Sequence, residues 1–202
     1  MNIAHCARSL HFAAAANYYL NLMNQQTSTR RLLGQVAFFW GLGGFFLLLF
    51  FAIYRLAPIA WSAMQQPLSG LQYALLIGNS LFMAHSEGYK GFQKAYSPRV
   101  VSRALYLREN ATVPLALLAP FFCMTYFGAP RKRVIVSWCL TIGIIILILI
   151  FQRLPSPWRG ILDAGVVVGL TWGVTATLII LYRTMANKRD RADPEVMPGL
   201  LS

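Results

Sequence analysis

The sequence predicts an all-α membrane protein, folded as one bundle of transmembrane helices. Apolar residues make up 57% of its 202 residues and charged residues only 12%, about half the charged share of an ordinary soluble domain. Four apolar runs are also long enough for a helix to cross the ~30 Å hydrocarbon core of a bilayer. These observations predict four spans and one proline-broken segment that is either re-entrant or interfacial.

The balance of charge indicates a membrane surface as a partner. Lys and Arg number 18 and Asp and Glu number 6, which gives a net charge of +12, and the basic residues stand just beyond the ends of the apolar runs. Juxtamembrane cations attract anionic lipid headgroups by about 1 kcal/mol each. We therefore expect contact with anionic lipid and no binding of nucleic acid.

The first part of the chain predicts a helix that lies outside the bilayer core. Residues 1–33 include the Ala-rich stretch "HFAAAANYYLNLMN", which favours a short interfacial or cytoplasmic helix. The transmembrane region is expected over residues 34–186. Its first span runs from Val36 to Tyr54, with basic residues before and after it. Residues 187–202 predict a polar tail.

Three further runs complete the predicted bundle. The second span, from about Leu68 to Glu87, is the least apolar of the four. The third, from Val134 to Phe151, is almost uniformly apolar, and the fourth runs from Ile161 to Tyr182. Asp163 stands in the first turn of the fourth span, where an acid favours the helix dipole, and Arg159 is its expected partner.

The segment from Val113 to Pro130 is apolar but is interrupted by prolines, which remove helical hydrogen bonds. If it crosses the bilayer, there are five spans and the basic residues divide almost evenly between the two sides. If it turns back or lies along the interface, there are four spans and 15 of the 18 basic residues gather on one side. That asymmetry favours four spans with both termini in the cytoplasm, and a bacterial inner membrane is the expected location.

A row of small residues marks the fourth span as a site of close helix packing. Gly165, Gly169 and Gly173 recur every four residues, so that one face of the helix carries no side chains. Such a groove lets a second helix backbone approach closely. The partner helix is expected either within the bundle or in another protomer of a homo- or hetero-oligomer.

The second span carries a polar row instead. Gln72, Asn79 and Ser86 lie seven residues apart, and two helical turns nearly close over seven residues, so they share a face. Polar groups avoid lipid tails because unsatisfied groups there are costly. This face is expected to bind neighbouring helices or, alternatively, to line a binding pocket or a permeation path.

The second span ends in the stretch "MAHSEGYKGFQKAY", which contains the candidate catalytic residues His85 and Glu87. Their spacing is not the i, i+4 spacing that puts two metal ligands on one helix face, so neither a metal nor any other cofactor is predicted. Glu87 and Lys90 are three residues apart and can form an ion pair.

A basic segment, predicted as a cytoplasmic loop over residues 88–111, follows this stretch. Ser97 and Pro98 in it have the pattern of a helix start, and a basic amphipathic helix is expected beyond them. The candidate lipid- or phosphate-binding residues are Lys90, Lys94, Arg99, Arg103 and Arg108.

Three functions remain compatible with these patterns. The favoured one is a non-catalytic accessory or assembly subunit that packs on partner helices and contacts anionic lipid, because few ionisable groups are buried. The second is an enzyme that acts on a lipid headgroup or phosphate substrate, with His85 as general base and Glu87 beside it. The third is a small-solute carrier or channel lined by the polar row.

Overall fold

The computed structural model describes residues 3–187 and 193–196, with side chains for residue 25, residues 28–187 and residues 193–196. Every regular element in these ranges is helical, so the predicted all-α class is confirmed. The elements are α1 (Ile3–Met64), α2 (Gly70–Met83), a π-helix (Ala84–Tyr96, the π segment), α3 (Ser97–Asn110), α4 (Val113–Leu117), α5 (Ala119–Cys123), α6 (Arg131–Phe151) and α7 (Trp158–Ala186). Most of the predicted polar tail lies outside the described residues.

In the part of the chain that the structure describes, three helices are long and apolar enough to cross a membrane: residues Ser28–Met64 of α1, the whole of α6 and the whole of α7. The first, third and fourth spans predicted from the sequence lie in these helices. Helices of such length and composition are typical of a bilayer environment. The chain is therefore a membrane-embedded helical protein.

The N-terminal helix and the first predicted span form one continuous helix. α1 runs from Ile3 to Met64, and the chain has no Gly or Pro before Gly34 that would break it. The sequence suggested a separate helix over residues 1–33. The structure instead continues that helix into the apolar part of α1 without a turn.

α2, the π segment and α3 also follow one another without a break, and together they form a composite helix from residue 70 to residue 110. It begins at a capping box, in which the Gln72 N–H donates to Ser69 Oγ (3.4 Å) and the Ser69 N–H donates to Gln72 Oε1 (2.8 Å). It ends where Ala111 becomes extended. The stretch predicted as a loop over residues 88–111 is therefore helical almost throughout.

The predicted helix start at Ser97 lies inside the composite helix. Ser97 has helical backbone angles, and its N–H donates to the carbonyl of Phe92, five residues earlier. This five-residue hydrogen bond is the π-helical pattern. It stops at Pro98, which has no N–H to donate.

Contacts at the two ends of the bundle give the directions of its long helical elements. Near one end, which we call the loop end, Ala63 of α1 lies against Gly160 of α7. At the opposite end, the terminal end, Gly34 of α1 lies against the carbonyl group of Arg108. α1 is therefore antiparallel both to α7 and to the composite helix. The connections 65–69 and 152–157 lie at the loop end.

The short helices α4 and α5 fold back along α1. The indole N–H of Trp40 donates to the carbonyl of Leu117 (3.2 Å), and Pro120 lies against Gly44. Gly44 is about 15 Å from Gly34 along α1 at 1.5 Å per residue. The α4–α5 segment thus extends from the terminal end to the level of Gly44 on α1, and α6 begins after it at Arg131.

The core lies where α1, α3 and α5 meet. Its members share almost complete burial and come from all three helices: Phe38, Phe45, Leu49, Val100, Ala104, Leu107, Ala119 and Phe122. The large rings come mainly from α1 and α5, whereas α3 contributes small and branched side chains. This division lets α3 approach α1 closely.

α6 stands apart from this core. None of its residues is buried, and its described contacts are near its start. Thr141 Oγ1 lies 2.6 Å from the Tyr126 hydroxyl, the rings of Trp138 and Tyr126 are 5.2 Å apart, and Ser137 donates to the Met124 carbonyl (3.4 Å). In water such a helix would be unstable, whereas lipid or a partner helix can surround it.

The contact at the loop end gives a test of the helix packing. A Cβ atom at Gly160 would overlap Ala63 Cβ and lie 2.8 Å from the carbonyl oxygen of Ile59, which belongs to the helix backbone and has little room to move. We expect Gly160→Ala to destabilise the bundle by about 1–3 kcal/mol, as overpacking does. The measurement is denaturant unfolding in detergent micelles.

Gly143→Ala is the matched control, because a Cβ atom there meets no other atom within 4 Å. An equal loss of stability in both variants would contradict the described packing of α1 on α7.

Candidate functional site

The glycine row of α7 receives side chains of the composite helix. A Cβ atom built at Gly169 would lie 2.9 Å from Glu87 Oε2, and one built at Gly173 would lie 2.6 Å from the ring of Phe92. At Gly165 it would overlap the amide of Asn79. The row is thus filled by this chain itself, and its glycines leave room for three side chains.

The π segment keeps the two helices in register. Along α7 the contacted residues are four apart and continue to Thr177, whose Oγ1 lies 2.7 Å from Ser97 Oγ. On the composite helix the residues that contact α7 are first Asn79, Met83 and Glu87, at intervals of four residues. The next two are Phe92 and Ser97, at intervals of five residues. Five-residue steps are those of a π-helix, in which residues i and i+5 are hydrogen-bonded.

This change of step determines which residues face α7. In an α-helix Lys90 and Lys94 would follow Glu87 on the same face, at i+3 and i+7. The π geometry places Phe92 there instead. Lys90, Lys94 and His85 are exposed. The π segment therefore packs on α7 through Glu87, Gly88 and Phe92, and it has a cationic side that faces away from α7, which we call the cationic face.

The cationic face is partly organised by aromatic contacts. The His85 ring stacks on the Tyr89 ring at 5.8 Å and 26°, and Lys94 Nζ lies 4.6 Å from the centre of the Tyr89 ring. Such a cation–π contact at an exposed site is worth about 0.5–1 kcal/mol. In the described part of the chain, neither lysine has an acidic partner.

The position of this face along the bundle is its most informative property. α7 has no charged residue between Asp163 and Arg183, and Gly173 is the midpoint of that stretch. Phe92 lies against Gly173, and Gly88 lies against Trp172. The cationic face is thus level with the middle of a helix that is apolar enough to cross a membrane.

The candidate catalytic residues do not meet in one site. His85 is exposed on the cationic face, whereas Glu87 is half-buried and packs on Gly169. The expected ion pair between Glu87 and Lys90 is not among the ion pairs of the described residues. A groove of about 510 Å³ lies on α1, and it is lined by Leu32, Gln35, Val36, Phe39 and Trp40.

The polar row of the second predicted span serves three separate local purposes. Gln72 closes the capping box at the start of α2, and Ser86 Oγ donates to the carbonyl of Phe82 in its own helix (2.7 Å). Asn79 alone connects two helices, because its amide donates to the carbonyls of Ile161 (2.9 Å) and Leu162 (3.3 Å). The predicted pocket or permeation path along this row stays a prediction.

The chain matches no family model, no curated protein and no solved structure.

Arg103, a candidate for binding phosphate, is 1% exposed and is engaged inside the protein. Its carbon Cζ lies 3.9 Å from the centre of the Phe122 ring. Its N–H groups donate to five carbonyl oxygens, those of Phe122 (2.7 Å), Phe127 (2.7 Å), Pro194 (3.1 Å), Gly128 (3.4 Å) and Glu195 (3.4 Å). We call this arrangement the Arg103 clasp. It joins α3, the turn after α5 and the C-terminal residues 194–195.

The two remaining arginine candidates differ from each other. Arg99 is half-buried, and its Nε donates to the carbonyl of Ala95 (2.6 Å). Arg108 is exposed at the terminal end. Near the clasp, Arg133 forms an ion pair with Glu195 (3.0 Å), a contact that no sequence pattern indicates.

The expected partner of Asp163 is confirmed. Arg159 Nε lies 3.6 Å from Asp163 Oδ2, one helical turn away, and Asp163 is 3% exposed. Among the described residues no group of three or more His, Cys, Asp or Glu side chains could hold a metal ion. The predicted absence of a metal and of other cofactors stays a prediction.

The Arg103 clasp leads to a test of its geometry. Arg103→Met leaves several buried carbonyl groups without a donor, and we expect a loss of about 2–4 kcal/mol in the free energy of unfolding. Arg103→Lys is expected to lose at least half as much, because an ammonium group lacks the planar fork that reaches acceptors on both sides. The readout is denaturant unfolding in micelles.

Arg108→Lys is the control, since Arg108 is exposed. If Arg103→Lys were as stable as the native chain, charge alone would account for Arg103 and the clasp geometry would be unnecessary.

Proposed function

We propose that this protein is a non-catalytic membrane subunit that assembles with another membrane protein chain. One observation carries the proposal: Lys90 and Lys94 are exposed on a helix that packs on α7 at the middle of its charge-free stretch. Charged side chains at that depth are rare and are paired or face a protein interior or a water-filled cavity. A subunit interface supplies such surroundings.

These two lysines are less stable against lipid tails than against a protein neighbour. A lysine at the centre of a membrane helix costs about 2.5–3.5 kcal/mol on insertion scales, so two would cost about 5–7 kcal/mol. Reaching the interface is difficult, because Thr177, level with Ser97, is still about 9 Å from Arg183 along α7. Lys94 lies deeper than Ser97. A protein partner removes this cost.

The proposed topology has four crossings, made by α1, the composite helix, α6 and α7. Three of these are the helices already identified as apolar enough to span, and the composite helix runs beside α7 in the same direction. The α4–α5 segment then enters from the terminal end and returns to it. Packing against α1 supports this, because irregular backbone at membrane depth needs protein around it.

The exposed cations support an orientation with the terminal end in the cytoplasm. At or near that end lie Arg30, Arg31, Arg108, Arg131, Lys132 and Arg133, whereas Arg55, Arg153 and Arg159 lie toward the loop end. Such an excess is typical of cytoplasmic loops. We propose contact with anionic headgroups there, as in the inner membrane of a bacterium, with both termini on that side.

The two alternative functions stay predictions. The separation of His85 from Glu87 on opposite sides of the π segment gives the enzyme hypothesis no assembled site. The local bonds of Gln72 and Ser86 give the carrier hypothesis no lined path. The geometry of the cationic face favours assembly over both.

The topology is tested by side-specific labelling. In a chain whose native cysteines are replaced by alanine, Gln25→Cys and Lys132→Cys are expected to react with an impermeant maleimide from the same side of the membrane, and Arg153→Cys from the other. Labelling of residues 25 and 132 from opposite sides would show that the α4–α5 segment or another element adds a crossing.

Assembly is tested by photo-cross-linking in native membranes. A benzoylphenylalanine at Ala95, exposed on the π segment, is expected to give one discrete adduct with an integral membrane protein. Deleting that protein is expected to shorten the half-life of this chain several-fold. The same photoreactive residue at Tyr54, which is 78% exposed on α1, is the control for lipid-facing positions. Equal absence of protein adducts at both positions would refute the proposed function.

A further inference from the structure

We propose that the cationic face binds a membrane helix of a different chain that carries two carboxylates about one turn apart at the depth of the bilayer centre. This inference rests on the proposed function and specifies the chemistry of the partner. It follows from the spacing of two lysines, the acids that this chain contains and the distance of the face from the headgroups.

The two lysines form a pair of matched cations. Lys90 and Lys94 are four residues apart, close to one turn of a π-helix, and both are exposed. Glu87 cannot neutralise them in this structure, because its carboxylate faces Gly169. The face therefore presents two positive charges one above the other. Two carboxylates one turn apart on a facing helix match this pattern.

A second copy of this chain does not supply such carboxylates. Asp163 is buried and paired with Arg159, and Glu87 packs on α7. The other acids of the chain, Glu109, Asp190, Asp193 and Glu195, stand at the end of α3 or beyond α7. If two copies packed through this face, the lysines of one would face the lysines of the other. α6, the helix of the bundle with no buried residue, contains no acid either. The partner is thus a different chain.

Lipid phosphate is also excluded as the occupant, because the centre of this face lies too far from the headgroups. Phe92 lies between Lys90 and Lys94 in the sequence. It is level with Gly173, the midpoint of the charge-free stretch of α7. Headgroup phosphates lie outside the hydrocarbon core, which is ~30 Å thick. A carboxylate on a transmembrane helix can occupy the required depth, and pairing in a low dielectric makes it strongly preferred over a neutral side chain.

The test uses the full chain in phosphatidylcholine vesicles and a single-span Leu/Ala peptide. One form of the peptide carries two Asp residues four positions apart at its centre, and the matched form carries two Asn residues. Association is measured by energy transfer between fluorophores on the chain and the peptide. We expect the Asp peptide to associate at least ten-fold more tightly than the Asn peptide.

Substitutions in the chain assign that preference to the cationic face. Lys90→Met with Lys94→Met is expected to remove the preference, and Lys90→Arg with Lys94→Arg is expected to keep it, which also shows that the substituted face still folds. Arg131→Met with Lys132→Met removes two charges at the terminal end and is the matched control. It is expected to leave the preference unchanged.

Three results would overturn the inference. The first is equal association of the Asp and Asn peptides, and the second is an equal loss of the preference in the terminal-end control. The third is loss of peptide binding when phosphatidylglycerol is added to the vesicles, because anionic lipid would then be the occupant of the face. The cross-link from residue 95 distinguishes failure of this inference from failure of the proposed function. If the adduct persists while the peptides bind equally, assembly stands and the carboxylate pairing falls.

Discussion

The structure depends on one constraint, the register between the composite helix and the glycine row of α7. α7 offers one empty position every four residues, and the composite helix must fill each of them with a side chain of suitable shape. Asn79 meets the first glycine through an amide that also bonds two α7 carbonyls. Phe92 fills the third with a ring. An α-helical continuation would bring lysine to this interface, and the π-helical step avoids that outcome.

The same constraint determines what the protein leaves uncovered. Once Phe92 and Ser97 face α7, the lysines of the π segment have no place inside the bundle, and the carboxylate of Glu87, the acid of that segment, faces Gly169 instead of them. α6 remains outside for a different reason, since it is apolar on nearly every side and none of its residues is buried in the bundle. The protein thus combines a well-packed core of α1, α3 and α5 with two surfaces that need other neighbours.

The sequence predicts the long apolar helices well, because the length of an uninterrupted apolar run can be counted directly in the sequence. Val36–Tyr54, Val134–Phe151 and Ile161–Tyr182 all lie within helices of the described chain, and the Asp163–Arg159 pair follows from spacing. The π segment could not be predicted, because its residues carry no signal for five-residue steps until their packing partner is known. The Arg103 clasp was equally hidden, since its acceptors are main-chain carbonyls, which every residue possesses.

The Arg103 clasp also sets an order for the assembly of the protein. Its most distant acceptor, the carbonyl of Glu195, is 92 residues further along the chain, and both α6 and α7 are synthesised in between. The guanidinium group must therefore remain without its final partners while two apolar helices leave the ribosome and enter the bilayer. The clasp is therefore complete only once residues 194 and 195 have been synthesised, and its last two hydrogen bonds wait for both apolar helices that precede them.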